Sequence, residues 1–160
     1  MRRRALAAGI PVAALGRMTR IAAAVLTAAL ATACTGGDDF TEPHQILPRV
    51  EDGNFTLYVS NQSFEIDPVD VQVRLDGKLA VEGDFLVEGQ HSWHVFPFEV
   101  GLGAHTLEAI TVAGDATITE TFTISDDRWA VLDFWYYPGD PEPTPRQFSF
   151  YLYDEPPQFE

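Results

Sequence analysis

Val69-Asp70-Val71-Gln72-Val73-Arg74-Leu75, followed at once by Asp76-Gly77 and then Lys78–Phe85, decides the fold class. Val, Val, Val and Leu alternate without a break with Asp, Gln and Arg. A period of two sends the apolar set to one face of an extended chain and the polar set to the other, the mark of a strand with one buried side. Asp-Gly then supplies the two residues that best tolerate the positive φ angles of a tight hairpin turn. The stretch therefore predicts two antiparallel strands, 69–75 and 78–85.

The same alternation extends outward. Phe55, Leu57 and Val59 alternate with Thr56, Tyr58 and Ser60. Further strands are expected at His91–Val100, Ala104–Val112, Ala116–Ile124, Trp129–Tyr137 and Arg146–Tyr153. Gly101-Leu102-Gly103, Gly114-Asp115 and Pro138–Pro145 punctuate them. No amphipathic helical period follows Cys34. Eight short strands separated by turns predict an all-β fold, a single antiparallel β-sandwich of about seven to eight strands. Pro97 cannot donate to a ladder, so its strand is expected at an edge or a bulge. Residues 34–160 carry all 19 aromatic residues. A domain of that size buries about two-thirds of its unfolded surface, enough for stability without a disulfide.

The N-terminal fifth has a different composition. Residues 1–33 contain five arginines and no acidic or aromatic residue, whereas residues 34–160 hold all 24 acidic residues against five basic ones, a net charge of −19. Basic residues precede an apolar run, Ile21–Ala33, of 13 residues, and the small residues Ala31-Thr32-Ala33 come before Cys34. This order is that of a signal peptide, and the run is short of the roughly 20 residues that span a bilayer as a helix. Read from Met18, the segment has the compact proportions of an ordinary signal, so Met18 is the expected start. The alternative reading uses Arg2-Arg3-Arg4-Ala5-Leu6 as a twin-arginine export signal.

Leu30-Ala31-Thr32-Ala33-Cys34 resembles a bacterial lipobox, with Leu30 one position further from the cysteine than in the commonest form. The resemblance implies that Cys34 is acylated after removal of residues 1–33. The competing reading is a secreted protein with an incidental thiol. Cys34 is the only cysteine, with no disulfide partner, and a lone exported thiol calls for an explanation. Two or three acyl chains anchor stably where one does not. A net charge of −19 is repelled by anionic lipid, which leaves the holding to the acyl chains. Residues 34–50, with Gly36-Gly37, Asp38-Asp39, Pro43 and Pro48, read as lipidated cysteine and flexible linker, and 51–160 as the sandwich. The expected location is the outward or periplasmic side of a cell membrane or outer membrane.

Phe96-Pro97-Phe98-Glu99-Val100-Gly101-Leu102-Gly103-Ala104-His105-Thr106-Leu107 resembles a pattern of immunoglobulin-like and fibronectin type III-like bacterial sandwiches, an apolar strand ending at a Gly turn before a Gly-x-His-Thr-Leu strand. The resemblance implies an immunoglobulin-like fold in an uncharacterised lipoprotein and brings no catalytic residues with it.

Motifs of catalysis are sparse. His91 and His94, three apart on a strand, point to opposite faces, and His44 and His105 lie elsewhere. No HExxH, phosphate loop or Gly-x-Ser-x-Gly elbow occurs, so no cofactor is expected. Asp126-Asp127 is a weak calcium candidate through oxygen ligands, or simply a solvated turn. Five scattered basic residues in an acidic domain argue against nucleic acid as partner.

The C-terminal hairpin is richest in rings. With Ala130, Leu132, Phe134, Phe148, Phe150 and Leu152 in the core, Trp129, Trp135, Tyr137, Tyr151 and Tyr153 line the other face. Such rings form a ligand-binding platform for a sugar or a protein, or else pack beneath loops. The leading expectation is a non-enzymatic binding or structural module, tethered to a membrane by lipid on Cys34, with an envelope protein or polysaccharide as partner. The alternatives are a carbohydrate-binding accessory domain using the aromatic face, and a hydrolase with an unrecognised carboxylate pair.

Overall fold

The computed structural model describes residues 40–89 and 92–159. The signal segment, Cys34 and His91 lie outside these. Nine strands follow one another: β1 His44–Gln45, β2 Phe55–Asn61, β3 Val69–Leu75, β4 Lys78–Phe85, β5 His94–Phe98, β6 Gly103–Thr111, β7 Ala116–Ile124, β8 Arg128–Tyr137 and β9 Thr144–Tyr153. They form two sheets, one in the order β1-β4-β3-β6-β7 and the other in the order β5-β2-β8-β9. Each of the eight strands expected from alternation is present.

The hairpin that decided the fold class forms as expected. Asp76 and Gly77 both take positive φ, 51° and 75°, the requirement of the turn that matches strand twist. Asp76 also accepts from the Thr106 N–H and so ties the turn to β6. Val69, Val71, Val73 and Leu75 are all buried, while the residues between them are half-buried or exposed.

The core fills the space between the sheets. Val69, Val71, Val73, Val81, Phe85, Leu107, Phe122 and Ile124 come from one sheet; Phe55, Leu57, Val59, Phe96, Phe98, Leu132 and Phe134 come from the other. Phe55 stacks on Phe122 across the gap, with ring centroids 5.1 Å apart, and beside Phe98 at 6.2 Å in its own sheet.

Two features were not apparent in the periodicity. First, β2 and β8 pair in parallel, Phe55 opposite Arg128 through Asn61 opposite Phe134, whereas every other neighbouring pair is antiparallel. Parallel neighbours need a long connection, and here the chain builds β3 to β7 before returning beside β2. In constant-type immunoglobulin domains the first two strands are neighbours in one sheet. Here β2 and β3 stand in opposite sheets, so the sandwich has its own strand order.

Second, Thr41–Val50, within the stretch expected as linker, is bonded onto the domain. His44 and Gln45 pair with Glu82 and Val81, the Ile46 N–H donates to the Ala80 carbonyl, and Val50 N–H to that of Pro97. Gly83 makes this approach possible. A Cβ there would stand 2.5 Å from the Pro43 Cα, and its φ is 149°. Pro97 itself lies in β5, at the edge of its sheet.

Candidate functional site

The outer face of the β5-β2-β8-β9 sheet is built in rows by its register. Thr56, Trp129 and Tyr153 form one row; Val95, Tyr58, Val131 and Tyr151 form the next; Ser60, Asp133 and Ser149 form a third; Trp135 and Gln147 follow. Alternation along β8 puts Trp129, Trp135 and Tyr137 on this face, because Ala130, Leu132 and Phe134 between them are fully buried in the core.

The five rings expected here differ in accessibility. Tyr151 is 57 % exposed and Tyr153 39 %, and they stand next to each other on the edge strand β9. Trp129, Trp135 and Tyr137 are half-buried. The Trp135 indole N–H donates to Ser149 Oγ at 2.9 Å, and the Tyr137 hydroxyl donates to the Gln62 carbonyl. Both rings are thus fixed by polar tips as well as by packing.

The middle row is polar and buried. Asp133 is only 6 % exposed. Its Oδ1 accepts from Ser60 Oγ at 2.6 Å and from the Trp93 indole N–H at 2.9 Å, while Ser60 in turn accepts from Gln62 Nε2 at 2.7 Å. Burial pushes the Asp133 carboxyl above its ordinary value, and the bonds from Ser60 and Trp93 pull part of the way back.

Sequence reasoning missed three aromatic members of this face. Trp93 precedes β5 and leans over the sheet towards Asp133. Phe159 lies on Trp93, with centroids 3.8 Å apart and planes at 18°, and meets Tyr58 edge-on at 5.3 Å. Residues 154–159 therefore leave the edge strand β9 and cross the sheet to reach β2. Val131 points outward yet is 5 % exposed, consistent with this cover. Tyr58 had a local signal, its place on the polar side of β2. The position of β2 beside β8 had none.

The remaining candidates do not assemble. Asp126 Oδ1 accepts from the Asp127 N–H, and the Arg128 guanidinium donates to the Asp127 carbonyl, as in a surface turn. Among the described residues no three His, Cys, Asp or Glu side chains converge as a metal site. His94 sits edge-on to Phe85, His44 lies 3.6 Å from Glu82, and His105 bonds Asp76, each on a different element. Asp70 and Asp84 face each other across β3 and β4. Both are engaged by backbone: Asp70 accepts from Val112 and Ala113 N–H, and Asp84 from Thr41 N–H.

A cavity of about 410 Å³ lies at one end of the sandwich, lined mainly by Leu47, Val50, Leu75, Phe98 and Val100, with Asp76, Lys78, Glu99 and His105 as its titratable groups. Its lining shares no residue with the aromatic face. No protein-family profile, curated protein or solved structure matches the chain.

Proposed function

We propose that the protein is a non-catalytic binding module, displayed at the cell envelope by lipid on Cys34, that engages a protein or polysaccharide through the outer face of the β5-β2-β8-β9 sheet. One observation carries this reading: Tyr151 and Tyr153 stand exposed on an edge strand beside rings whose positions are locked by hydrogen bonds. Large rigid aromatic surface loses little conformational entropy on binding, which makes it effective contact area. The carboxylates that face each other, Asp70 and Asp84, are committed to backbone donors, which favours binding over hydrolysis. The Phe96–Leu107 stretch and the two packed sheets support grouping it with immunoglobulin-like interaction modules in architecture, with a strand order of its own.

The test is photo-crosslinking in the native host from a probe placed at Gln147, beside Trp135. A defined adduct, formed with the natural face and lost in Tyr151→Ala/Tyr153→Ala at unchanged thermal midpoint, is the expected result. An adduct retained by the double variant overturns the assignment of the face. The anchor is tested separately: Cys34→Ser is expected to move the protein from the detergent-rich to the aqueous phase in a partition assay.

A further inference from the structure

We infer that Trp93 and Tyr58 form a docking notch for an aromatic side chain carried on an extended, acidic, proline-containing peptide segment, and that residues 154–159 hold this notch in cis. The inference rests on reading this sheet face as a binding surface, and concerns its β2–β5 end rather than Tyr151 and Tyr153.

The notch is built independently of its occupant. The Trp93 indole is held by Asp133 Oδ1, and that carboxylate is held in turn by Ser60. A ring fixed from behind keeps its face presented when Phe159 leaves. Preorganisation of this kind lowers the ordering that a ligand must impose.

The occupant, by contrast, is lightly held. Asp154 pairs with Arg128, Oδ1 to Nε 3.2 Å, and is 86 % exposed. An exposed pair of that sort contributes little. Five residues on, Phe159 rests on Trp93 and Tyr58 while still 40 % exposed. Among the described residues, none from 155 to 159 makes a hydrogen bond, so beyond the Asp154 pair the segment is held by packing alone, through Phe159 on the two rings and the half-buried Pro157. Pro156 and Pro157 between them restrict φ and keep it extended, which sets the spacing from carboxylate to ring.

The partner chemistry follows from this geometry. A competing segment needs a carboxylate for Arg128, an aromatic ring about five residues later for Trp93, and prolines to span the sheet. A short tether gives the cis segment an effective concentration on the order of millimolar. A segment from another chain with that pattern therefore displaces it when its own affinity or local concentration exceeds this.

The experiment uses the full chain with Phe159→Ala and, as probe, a synthetic peptide spanning Tyr153–Glu160. The Trp93 indole N–H resonance is followed by ¹H–¹⁵N NMR. Phe159→Ala is expected to shift that resonance, and millimolar peptide to return it saturably towards its original position. The natural chain should need at least about tenfold more peptide for any response, since its notch is filled. Adding Tyr58→Ser to Phe159→Ala removes the edge contact but spares the Trp93–Asp133 bond, and should abolish recovery. Peptide that leaves the Phe159→Ala resonance unmoved, or shifts both chains alike, overturns the inference. So does a response to a soluble glucan oligosaccharide in place of the peptide, which would assign the notch to a sugar ring. Crosslinking lost in Tyr151→Ala/Tyr153→Ala with no peptide recovery marks failure here alone, whereas crosslinking retained by that double variant marks failure of the broader reading.

Discussion

His105 is clamped between two acceptors: its Nδ1 lies 2.7 Å from Asp76 Oδ2 and its Nε2 lies 2.7 Å from the Gly101 carbonyl oxygen. A neutral imidazole carries one N–H and can satisfy only one of them. The arrangement calls for the imidazolium, which joins the β3–β4 turn to the loop before β6. Burial works against that charge, but the bonds to Asp76 and Gly101 outweigh it and raise the His105 pKa above its ordinary value. Burial likewise opposes the Asp76 carboxylate, yet the Thr106 N–H and His105 bring its pKa below the usual value.

The pH dependence of stability follows in sign. A raised histidine pKa contributes fully below the unfolded value, about 6.5, and the contribution is lost as pH climbs through the folded value. The Asp76 contribution is present above about 3.9 and is lost as pH falls through its lowered folded value. Stability from this pair is thus greatest between about pH 4.5 and 6.5 and declines above neutrality. Denaturant titrations at pH 5.5 and 9 should show that decline. In His105→Gln it should shrink, with a loss at pH 5.5 of about 1.5–3 kcal/mol, the range for a charge-assisted hydrogen bond. Equal losses at both pH values would contradict the imidazolium.

Asp133 makes a contrasting case, because its carboxyl is raised rather than lowered. Burial disfavours its ionised form in the folded chain relative to the unfolded one, so its contribution to stability worsens as pH rises through the acid range. Asp133→Asn retains an acceptor for Trp93 and Ser60 and is expected to lie within about 1 kcal/mol of the natural chain at pH 7. Asp133→Leu leaves both donors unsatisfied and should cost about 1–3 kcal/mol for each buried group. Chemical denaturation of the two variants side by side decides this.

Gly83→Ala tests whether Thr41–Val50 is a working part of the sheet. The added Cβ would meet Pro43 backbone at 2.5 to 2.7 Å, in a φ that L residues rarely adopt. We expect β1 to detach while the rest of the sandwich holds. Hydrogen exchange should then show lost protection at Ile46 N–H and Asp84 N–H, whose acceptors are the Ala80 and Thr41 carbonyls. Amides in β2 and β8 should be unchanged.

Gly114→Ala tests the packing of the β6–β7 turn against the core. Its Cβ would come within 2.7 Å of the Phe134 ring and 2.6 Å of Thr111 Cγ2. Overpacking of this kind costs about 1–3 kcal/mol. Phe134→Leu in the same chain should recover part of the loss, and failure to do so would point to the backbone instead.

How much was legible beforehand can be judged strand by strand. The faces of β3 and β8 were readable because alternation is a local property: once a chain is extended, neighbouring side chains must point opposite ways. Asp76-Gly77 was readable because positive φ is a demand on single residues. The faint signal of β1, two residues among prolines and charges, was not readable as a strand. Its pairing depends on the missing side chain at Gly83, nearly forty residues away.

Local pattern was enough to read that the chain is all-β, where eight of its strands run, which side of each is apolar, and that Trp129, Trp135, Tyr137, Tyr151 and Tyr153 share one face. Tertiary structure alone decided that β2 lies parallel to β8, and with it that Ser60, Asp133 and Trp93 meet, that Tyr58 joins the aromatic face, and that Phe159 returns to cover it. The physical reason is range. Side-chain alternation and turn dihedrals are set within a few bonds, whereas strand neighbours are chosen by hydrogen bonds and burial between segments some seventy residues apart, where no local pattern carries the information.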